Sequence, residues 1–527
     1  MKQNKKVAAV IVFAALLSVI GLIVRALIYI NCRPEQPVRI NAPARIFPDY
    51  DNTVIPPNIA PLNFVIKEPG QRFYVRVLDQ EGGLRGQAFS RDGRIRIPPK
   101  TWRRLLQNAR GKSISLEPFA RDAAGHWRQF SPLCLRVAPE PIDEYLIYRL
   151  IYPVYNSWSK MGIYQRRIST FKQTEILSNT QVGRSCINCH TFSANQGDRM
   201  LLQVRHPSFG PSMIIAAGGN LKKTDLRTKL YPKTPTYTAW HPNGDIVAFS
   251  QNKIQQFFHS GGRKDPRDVV DQESDLAIYN IRDGNLTYSP KISRSDRLET
   301  WPEWSPDGKY LYFSSAKTPW EKTPKNILGA FKYWPIIKYD LMRIEFDAAT
   351  NNFRQVETLL DSRKTGMSMS QPRVSPDGRR LIFVGHDYGS FPIFQESANL
   401  WMLDLQTKKA RPISEINSDR TDSWHSWSSN GRWIVFSSKR DTGRLSRPYF
   451  TYIDTKGQAS KPVLLPQKDP AFYDYFPENF NRPELSAYPV PVNQKALAQV
   501  INRPDKEKGK EPVTGAAPRS DEPPSSP

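Results

Sequence analysis

Cys186 and Cys189 are separated by two residues, and His190 follows directly, in the run Cys-Ile-Asn-Cys-His. Two cysteine thiols at this spacing can each form a thioether with one vinyl group of the same porphyrin, and a histidine directly after them can bind the iron. The sequence therefore predicts one covalently attached haem c, held by Cys186 and Cys189, with His190 as an axial ligand.

The same cysteine pair has three other interpretations: a disulfide, a redox dithiol, or half of a zinc site. A zinc site would ordinarily use a second Cys/His pair, and the other two cysteines, Cys32 and Cys134, stand alone in the sequence. A thioredoxin-like dithiol is expected at the start of a helix after a strand, and the flanking sequence shows no such alternation. The adjoining histidine favours haem.

Residues close to the motif supply candidates for the second axial ligand and for the haem propionates. We expect His206 as the second iron ligand, because Met200 and Met213 lie in apolar runs that ordinarily belong to a core. Arg199 and Arg205 are predicted to bind the propionates, since a guanidinium pairs with a carboxylate through two hydrogen bonds. Four further histidines can reach the iron only through folding: His241, His259, His386 and His425.

The N-terminus predicts a membrane anchor. Three lysines precede an apolar run over residues 7–24, and apolar residues continue to Ile30 after Arg25. This segment is long enough to cross a bilayer as a helix, and the leading lysines place its start in the cytoplasm. A cleaved signal peptide is the alternative that stays open. Because no small-residue cleavage site follows the apolar run, we expect a retained single-pass anchor in the inner membrane, with the bulk of the chain in the periplasm.

Composition bounds the rest of the chain. A hydrophobic content of 39% and an aromatic content of 11% indicate folded structure, and the length predicts two or three domains. The net charge of +25 comes from lysines and arginines scattered along the sequence. We interpret this charge as a solvated surface that favours an acidic partner or an anionic membrane, and we exclude nucleic acid as a partner of an exported protein.

Four copies of one pattern run through the second half of the chain. Each copy centres on Asn-Gly or Asp-Gly, the pair suited to a tight hairpin turn, and a β-rich run follows it. The copies are residues 239–250, 303–314, 373–384 and 426–437. Because a second extended pair follows each copy, every unit forms a four-stranded antiparallel sheet, which is a blade of a β-propeller. A degenerate blade over 199–217 and flanking strands raise the expected number to about six.

We therefore expect a mainly β protein. The predicted domains are an anchor over 1–32, an immunoglobulin-like β-sandwich over 33–140, a helical connector with the haem site over 141–195, the propeller over 196–480, and an extension over 481–527 that is disordered from about 503. Within the connector, residues 142–152 and 163–178 are predicted to be helical.

The repeats between Tyr237 and Leu465 resemble the TolB-like (PD40, WD40-like) propeller family, and the resemblance implies the propeller fold. TolB proteins carry an α/β domain and no haem, so their role is not carried over to this chain. The runs 148–151 and 162–166, leading into Cys186–His190, resemble anaerobe envelope proteins that join a membrane anchor, one c-type haem and such a propeller. The resemblance to c-type cytochromes implies haem attachment outside the cytoplasm.

Taken together, the sequence predicts a membrane-anchored periplasmic monohaem c-type cytochrome that acts in electron transfer, with the propeller as a docking platform for a redox protein or an envelope complex. We identify no paired carboxylates, Ser-His-Asp arrangement or glycine-rich phosphate loop in the sequence, so an electron carrier is favoured over a catalyst. Two alternatives stay open: a haem-dependent oxidoreductase or peroxidase-like enzyme, and a TolB-like envelope scaffold with a structural haem.

Overall fold

The computed structural model describes residues 33–153, 159–229, 231–258, 267–320, 332–491 and 493–510. The expected membrane anchor over 1–32, His259 and the tail from 511 lie outside these residues. Within the described ranges, no helix is both long and apolar enough to span a bilayer. The chain divides into two compact units: 33–53, Ala60–Val137 and Pro466–Tyr475 form the first, and Val54–Ile59, Ala138–Leu465 and 476–510 form the second.

The first unit is built mainly from two β-sheets. Its larger sheet has the strands β1 (Val38–Pro43), β3 (Thr53–Ile55), β5 (Arg72–Leu78), β6 (Leu84–Ser90), β8 (Ser113–Arg121), β9 (Trp127–Ser131) and β10 (Leu133–Val137). The smaller sheet has β2 (Ile46–Phe47), β4 (Phe64–Ile66) and β7 (Arg94–Ile95). Helix α1 (Pro99–Asn108), which the sequence analysis did not predict, buries Trp102, Leu105 and Leu106. Strand β1 pairs with β9 in parallel, so the unit is not purely antiparallel.

The second unit contains six sheets, which we number as blades in chain order. Blade 1 begins with β11 (Tyr145–Ile151), β12 (Met161–Arg167) and β13 (Gln173–Ser178). Blade 2 has β14 (Cys186–Ser193), β15 (Gln196–His206), β16 (Gly210–Ala217) and β17 (Asn220–Asp225); blade 3 has β18 (Pro235–Trp240), β19 (Ile246–Phe258), β20 (Arg267–Asn280) and β21 (Leu286–Thr287). Blade 4 has β22 (Arg297–Trp304), β23 (Tyr310–Lys317), β24 (Asp340–Asp347) and β25 (Asn352–Leu360).

Blade 5 has β26 (Ser368–Val374), β27 (Arg380–His386), β28 (Asn399–Asp404) and β29 (Ala410–Pro412). Blade 6 has β30 (Asp422–Trp427), β31 (Trp433–Ser438), β32 (Arg447–Tyr452) and β33 (Val463–Leu464). The C-terminal strand β34 (Asn479–Ser486) completes blade 1, and β35 (Glu507–Lys508) adds to the edge of blade 2. Short helices complete the inventory: α2 (Ser362–Thr365) and α4 (Gln494–Ile501) in this unit, and α3 (Phe472–Tyr475) in the first.

The six blades close into a ring. The innermost strands contact one another in the order β14, β18, β22, β26, β30 and β34, and β34 in turn contacts β14. Blade 1 takes strands from both ends of the unit, because β34 pairs antiparallel with β11, with Leu485 opposite Leu146. Asn195 reinforces the closure, since its side-chain amide donates to the carbonyl oxygens of Leu485 and Trp427, each at 2.9 Å. The unit is therefore a six-bladed β-propeller.

The repeated turn explains the sequence pattern that identified the blades. In blade 4, the Asp307 carboxylate accepts hydrogen bonds from the Ser305 hydroxyl at 2.6 Å and from the Lys309 backbone at 3.1 Å. Gly308 adopts φ +72°, a left-handed conformation that disfavours a residue with a Cβ. Serine, aspartate and glycine are thus each needed to turn β22 back into β23.

Three expectations about this unit differ from the structure. Residues 142–152 and 163–178 were predicted to be helical, but they form β11, β12 and β13. The propeller therefore begins at Tyr145 rather than at 196, and it includes the strand that carries the cysteine motif. The predicted disorder from about 503 is also wrong in part, because Glu507 and Lys508 pair with β17.

The pairing of β34 with β11 predicts that Leu485 stabilises the ring. Leu485 is 1% exposed, so Leu485→Ala should lower the free energy of unfolding by about 2–5 kcal/mol through lost burial and the cavity left behind. Tyr488, just beyond β34, is 58% exposed, and Tyr488→Ala should change stability by at most about 0.5 kcal/mol. Urea unfolding of both variants measures the difference; equal losses would contradict the proposed closure.

Candidate functional site

The whole cysteine motif lies on β14, the innermost strand of blade 2. Cys186 pairs with Arg205 and Asn188 pairs with Gln203 across the sheet, but Thr191 pairs with Leu201. Three steps along β14 after Asn188 thus oppose two along β15, which is a β-bulge at Cys189 and His190.

This bulge recurs around the ring. The innermost strands of blades 4, 5 and 6 have the same three-against-two shift, after Thr300, Ser370 and Ser423 respectively. In a regular strand, residues three apart point to opposite faces, so Cys186 and Cys189 could not serve one flat ligand. A bulge breaks the alternation, and the fold provides one at the position that the motif occupies.

His190 is buried and has one ring nitrogen without a protein partner. Its side chain is 1% exposed, and its Nε2 atom makes no hydrogen bond within the described residues. The backbone carbonyl of Arg482 bonds to the imidazole, which leaves Nδ1 as the donor. Burial, opposed by Glu484 and assisted by Arg482 and Arg149, lowers the pKa of His190 to about 4. A neutral imidazole that donates through one nitrogen and keeps the other available is the form that binds a metal.

A cavity at one mouth of the propeller channel adjoins β14. Cys186 and Asn188 line it. Its apolar wall includes Met161, Tyr237, Ile254, Phe391, Ile393 and Phe394. Its cationic side chains are Arg149, Arg205, Arg267, Lys439 and Arg444, and no acidic side chain of the described residues lines it.

Arg149 links this cavity to the backbone of the motif. Its guanidinium donates to the carbonyl oxygen of Ile187 at 3.2 Å and to the side-chain oxygen of Asn188 at 2.5 Å. Charged donors make stronger hydrogen bonds than neutral ones. Arg149 therefore holds β14 in place between the first cysteine and the bulge.

The cavity and the buried imidazole each offer groups suited to a haem attached to this strand, although of Cys186 and His190 only Cys186 lines the cavity. An aromatic and aliphatic wall suits the face of a porphyrin, cationic side chains suit its two carboxylates, and Nε2 of His190 is a buried polar atom that lacks a protein partner. Among the described residues, no three His, Cys, Asp or Glu side chains cluster as a metal-binding group of their own.

The structure brings together some of the predicted site residues and separates others. Arg205 lines the cavity beside Cys186. Arg199 lies six residues before Arg205 on β15, about 20 Å from it, with its guanidinium against Gly244 in the turn of blade 3. The expectation that Arg199 contributes to this site is therefore not supported by its position.

His206 is also placed away from the cavity. It neighbours Arg205 on β15 and so points to the opposite face of the sheet. Its Nδ1 accepts hydrogen bonds from the backbone of Ser208 at 3.1 Å and Phe209 at 3.2 Å, and its Nε2 lies 3.3 Å from the side-chain oxygen of Asn502. Both ring nitrogens thus have partners, which does not favour His206 as an iron ligand.

The remaining candidates belong to the interior of the blades. Met200 and Met213 are fully buried in hydrophobic clusters. His386 bonds to the Ser370 hydroxyl at 3.0 Å and to the Tyr388 carbonyl at 2.9 Å, and His425 bonds to the Ile382 carbonyl at 3.0 Å. These side chains stabilise sheets and do not line the cavity.

The sequence analysis missed four cationic residues and a methionine of the cavity: Arg149, Arg267, Lys439, Arg444 and Met161. Arg149 left a signal, because it interrupts the apolar run of β11. Met161, Arg267 and Lys439 left none, since only closure of the ring brings blades 1, 3 and 6 to one mouth.

Comparison with known proteins identifies no family. No family model and no curated protein matches the chain. Among solved structures, the chain is similar to Kuenenia stuttgartiensis hydrazine synthase (14% identity, TM-score 0.30, 53% of this chain and 65% of that one). It is also similar to an oligogalacturonate lyase from Vibrio parahaemolyticus (11% identity, TM-score 0.33, 79% of this chain and 98% of that one). A third similar structure is prolyl oligopeptidase B from Galerina marginata (8% identity, TM-score 0.35, 70% of this chain and 50% of that one). This chain thus spans about two thirds of the hydrazine synthase chain, and similarities this low carry no functional argument.

The buried histidines predict acid sensitivity of the propeller. Burial lowers the pKa of His386 to about 4, below its unfolded value near 6.5. The unfolded chain therefore binds the extra proton first, and the stability contributed by neutral His386 is lost as the pH falls from about 6.5 towards about 4.

Replacing His386 should remove this pH dependence. Between pH 7 and pH 5, the wild type should lose about 2 kcal/mol more stability than His386→Gln. His126, whose side chain is 74% exposed, supplies the control His126→Gln, which should follow the wild type. Thermal or urea unfolding at both pH values measures the change; parallel losses in wild type and His386→Gln would contradict it.

Proposed function

We propose that this chain is a membrane-anchored periplasmic cytochrome with one covalent haem c and a TolB-like propeller that docks a redox protein or an envelope complex. The observation that carries the proposal is His190, which follows a Cys-x-x-Cys pair, is buried and neutral, and has no partner for Nε2 among the residues that the structure describes. Cys186 lines a cavity with apolar and cationic walls, which supports the same assignment.

Each residue of the site has a distinct role in this proposal. Cys186 and Cys189 would hold the haem through thioethers, and Nε2 of His190 would bind its iron. The backbone carbonyl of Arg482 accepts a hydrogen bond from the ring N–H of His190 and so fixes the ring orientation and tautomer. When bound, the haem supplies one-electron exchange between two oxidation states of iron.

The protein excludes water from His190 and offers a surface for a partner. Burial keeps His190 neutral, so that a proton does not compete for Nε2 at physiological pH. The anchor, predicted from residues 1–32, would keep the site close to a membrane, and the mouths of the propeller offer surfaces for a partner. No further chemical group is required for electron transfer.

One observation favours a second function, a haem-dependent periplasmic oxidoreductase. The cavity beside Cys186 opens to solvent and carries several cationic side chains, an arrangement that could admit a small substrate. The two functions differ in the sixth coordination position of the iron. A protein ligand there favours electron transfer, whereas an open position admits a reacting molecule.

Covalent attachment is tested by cysteine replacement in the full chain, produced in a host that attaches haem in its periplasm. Wild type should carry one haem per chain by mass spectrometry, and Cys186→Ser with Cys189→Ser should carry none, because no thioether can form. Cys134, which is exposed in the first unit, gives the control Cys134→Ser with full haem content. Haem-free wild-type protein would contradict the proposal.

The sixth ligand is tested by carbon monoxide. Met161 is the one methionine of the described residues that lines the cavity, and its sulfur lies 3.4 Å from the Ile187 amide. We expect reduced wild type to be low-spin and not to bind carbon monoxide, and Met161→Leu to become high-spin and bind it. Met200→Leu is the control because Met200 packs in the same hydrophobic cluster as Met161 but does not line the cavity; it should behave as wild type.

Carbon monoxide binding by the wild type would favour the oxidoreductase instead. A Met161→Leu protein that stays low-spin would show that another group fills the sixth position. Optical and electron paramagnetic resonance spectra distinguish these outcomes.

A further inference from the structure

The cavity at the propeller mouth gathers positive charge from several blades. Five cationic side chains from blades 1, 2, 3 and 6 line it, and no acidic side chain of the described residues does. Within the described part of the chain, no carboxylate lies within 4.0 Å of Arg205, Arg267 or Arg444. Like charges gathered in a partly dry site repel one another, and an anion would relieve that cost.

Arg267 shows the repulsion most directly. Burial and the positive charge of Arg149 both lower the pKa of its guanidinium. Its Nε atom is buried and makes no hydrogen bond within the described residues, although another of its nitrogens donates to the side chain of Gln256. A buried donor without an acceptor is costly, and an oxygen of a ligand would satisfy it.

An aromatic ring orders the cationic groups. The guanidinium of Arg267 lies 5.2 Å from the ring centre of Phe394, and the ammonium of Lys439 lies 5.3 Å from it. These contacts hold two cations from different blades against one apolar surface. The cavity thus presents fixed positive charge beside an apolar wall, which suits a ligand with an anionic group and a small carbon skeleton.

We propose that this cavity binds a small soluble oxyanion, such as a carboxylate, through Arg205 and Arg267. The inference deepens the proposed function, on which it rests, by naming the class of molecule that reaches the haem site. The two carboxylates of the haem itself have the same chemistry, so the test must separate bound haem from a free anion as their source.

The test uses calorimetric titration of the full-length holoprotein with sodium benzoate and with inorganic phosphate, at constant ionic strength. We expect saturable binding of at least one anion, weakened at least about 10-fold in Arg205→Gln and in Arg267→Gln by loss of a charged hydrogen bond. Arg199→Gln is the matched control, because Arg199 lies on the same strand as Arg205 but outside the cavity. It should bind as wild type does.

Three results would overturn the inference. No saturable binding by the holoprotein would do so, and so would equal weakening by Arg199→Gln, which would indicate general surface attraction. Binding only by the haem-free Cys186→Ser, Cys189→Ser protein would show that the haem carboxylates use these arginines. Haem content, read from the absorption spectrum of the same samples, shows separately whether the proposed function itself has failed.

Discussion

The antiparallel pairing of β34 with β11 is the constraint on which the rest of the second unit depends. It joins residues more than three hundred positions apart and turns a row of sheets into a closed ring. Closure places the innermost strand of every blade around one channel and removes those strands from solvent. The burial of His190, the enclosure of the cavity and the meeting of cationic residues from four blades all follow from it.

Exclusion of water then shifts the pKa values of buried groups around the channel. The same exclusion of water keeps His190 neutral and makes the proximity of Arg149 and Arg267 costly. A metal bound at Nε2 would give His190 a partner, and an anion in the cavity would offset the repulsion between Arg149 and Arg267. The bulge on β14 lies between Cys186, which lines the cavity, and Thr191, and it ends the regular alternation of side chains between Cys186 and His190.

Local patterns predicted local structure well. The Asn-Gly and Asp-Gly repeats identified four blades and their hairpins, since the required turn is encoded within a few residues. Residues 142–152 were predicted to be helical, but they form a strand whose partner, β34, is remote in sequence. Pairing across the ring overrode local preference there.

The candidate site divides in the same way. Cys186 and Arg205 could be predicted to lie together because they share one hairpin, whereas Arg267 and Lys439 reach the cavity only through closure. His206 and Arg199 were expected from proximity along the chain alone. Because side chains alternate along β15, His206 points to the opposite face from Arg205. Arg199 lies six residues, or about 20 Å, from Arg205 along the same strand.

Haem attachment at β14 is tested most directly by locating iron in a crystal of the full-length protein, using anomalous scattering at the iron absorption edge. We expect one iron atom per chain, within bonding distance of Nε2 of His190, with continuous density from the porphyrin to Cys186 and Cys189. An iron atom bound elsewhere, or crystals without iron in which Cys186 and Cys189 form a disulfide, would contradict it.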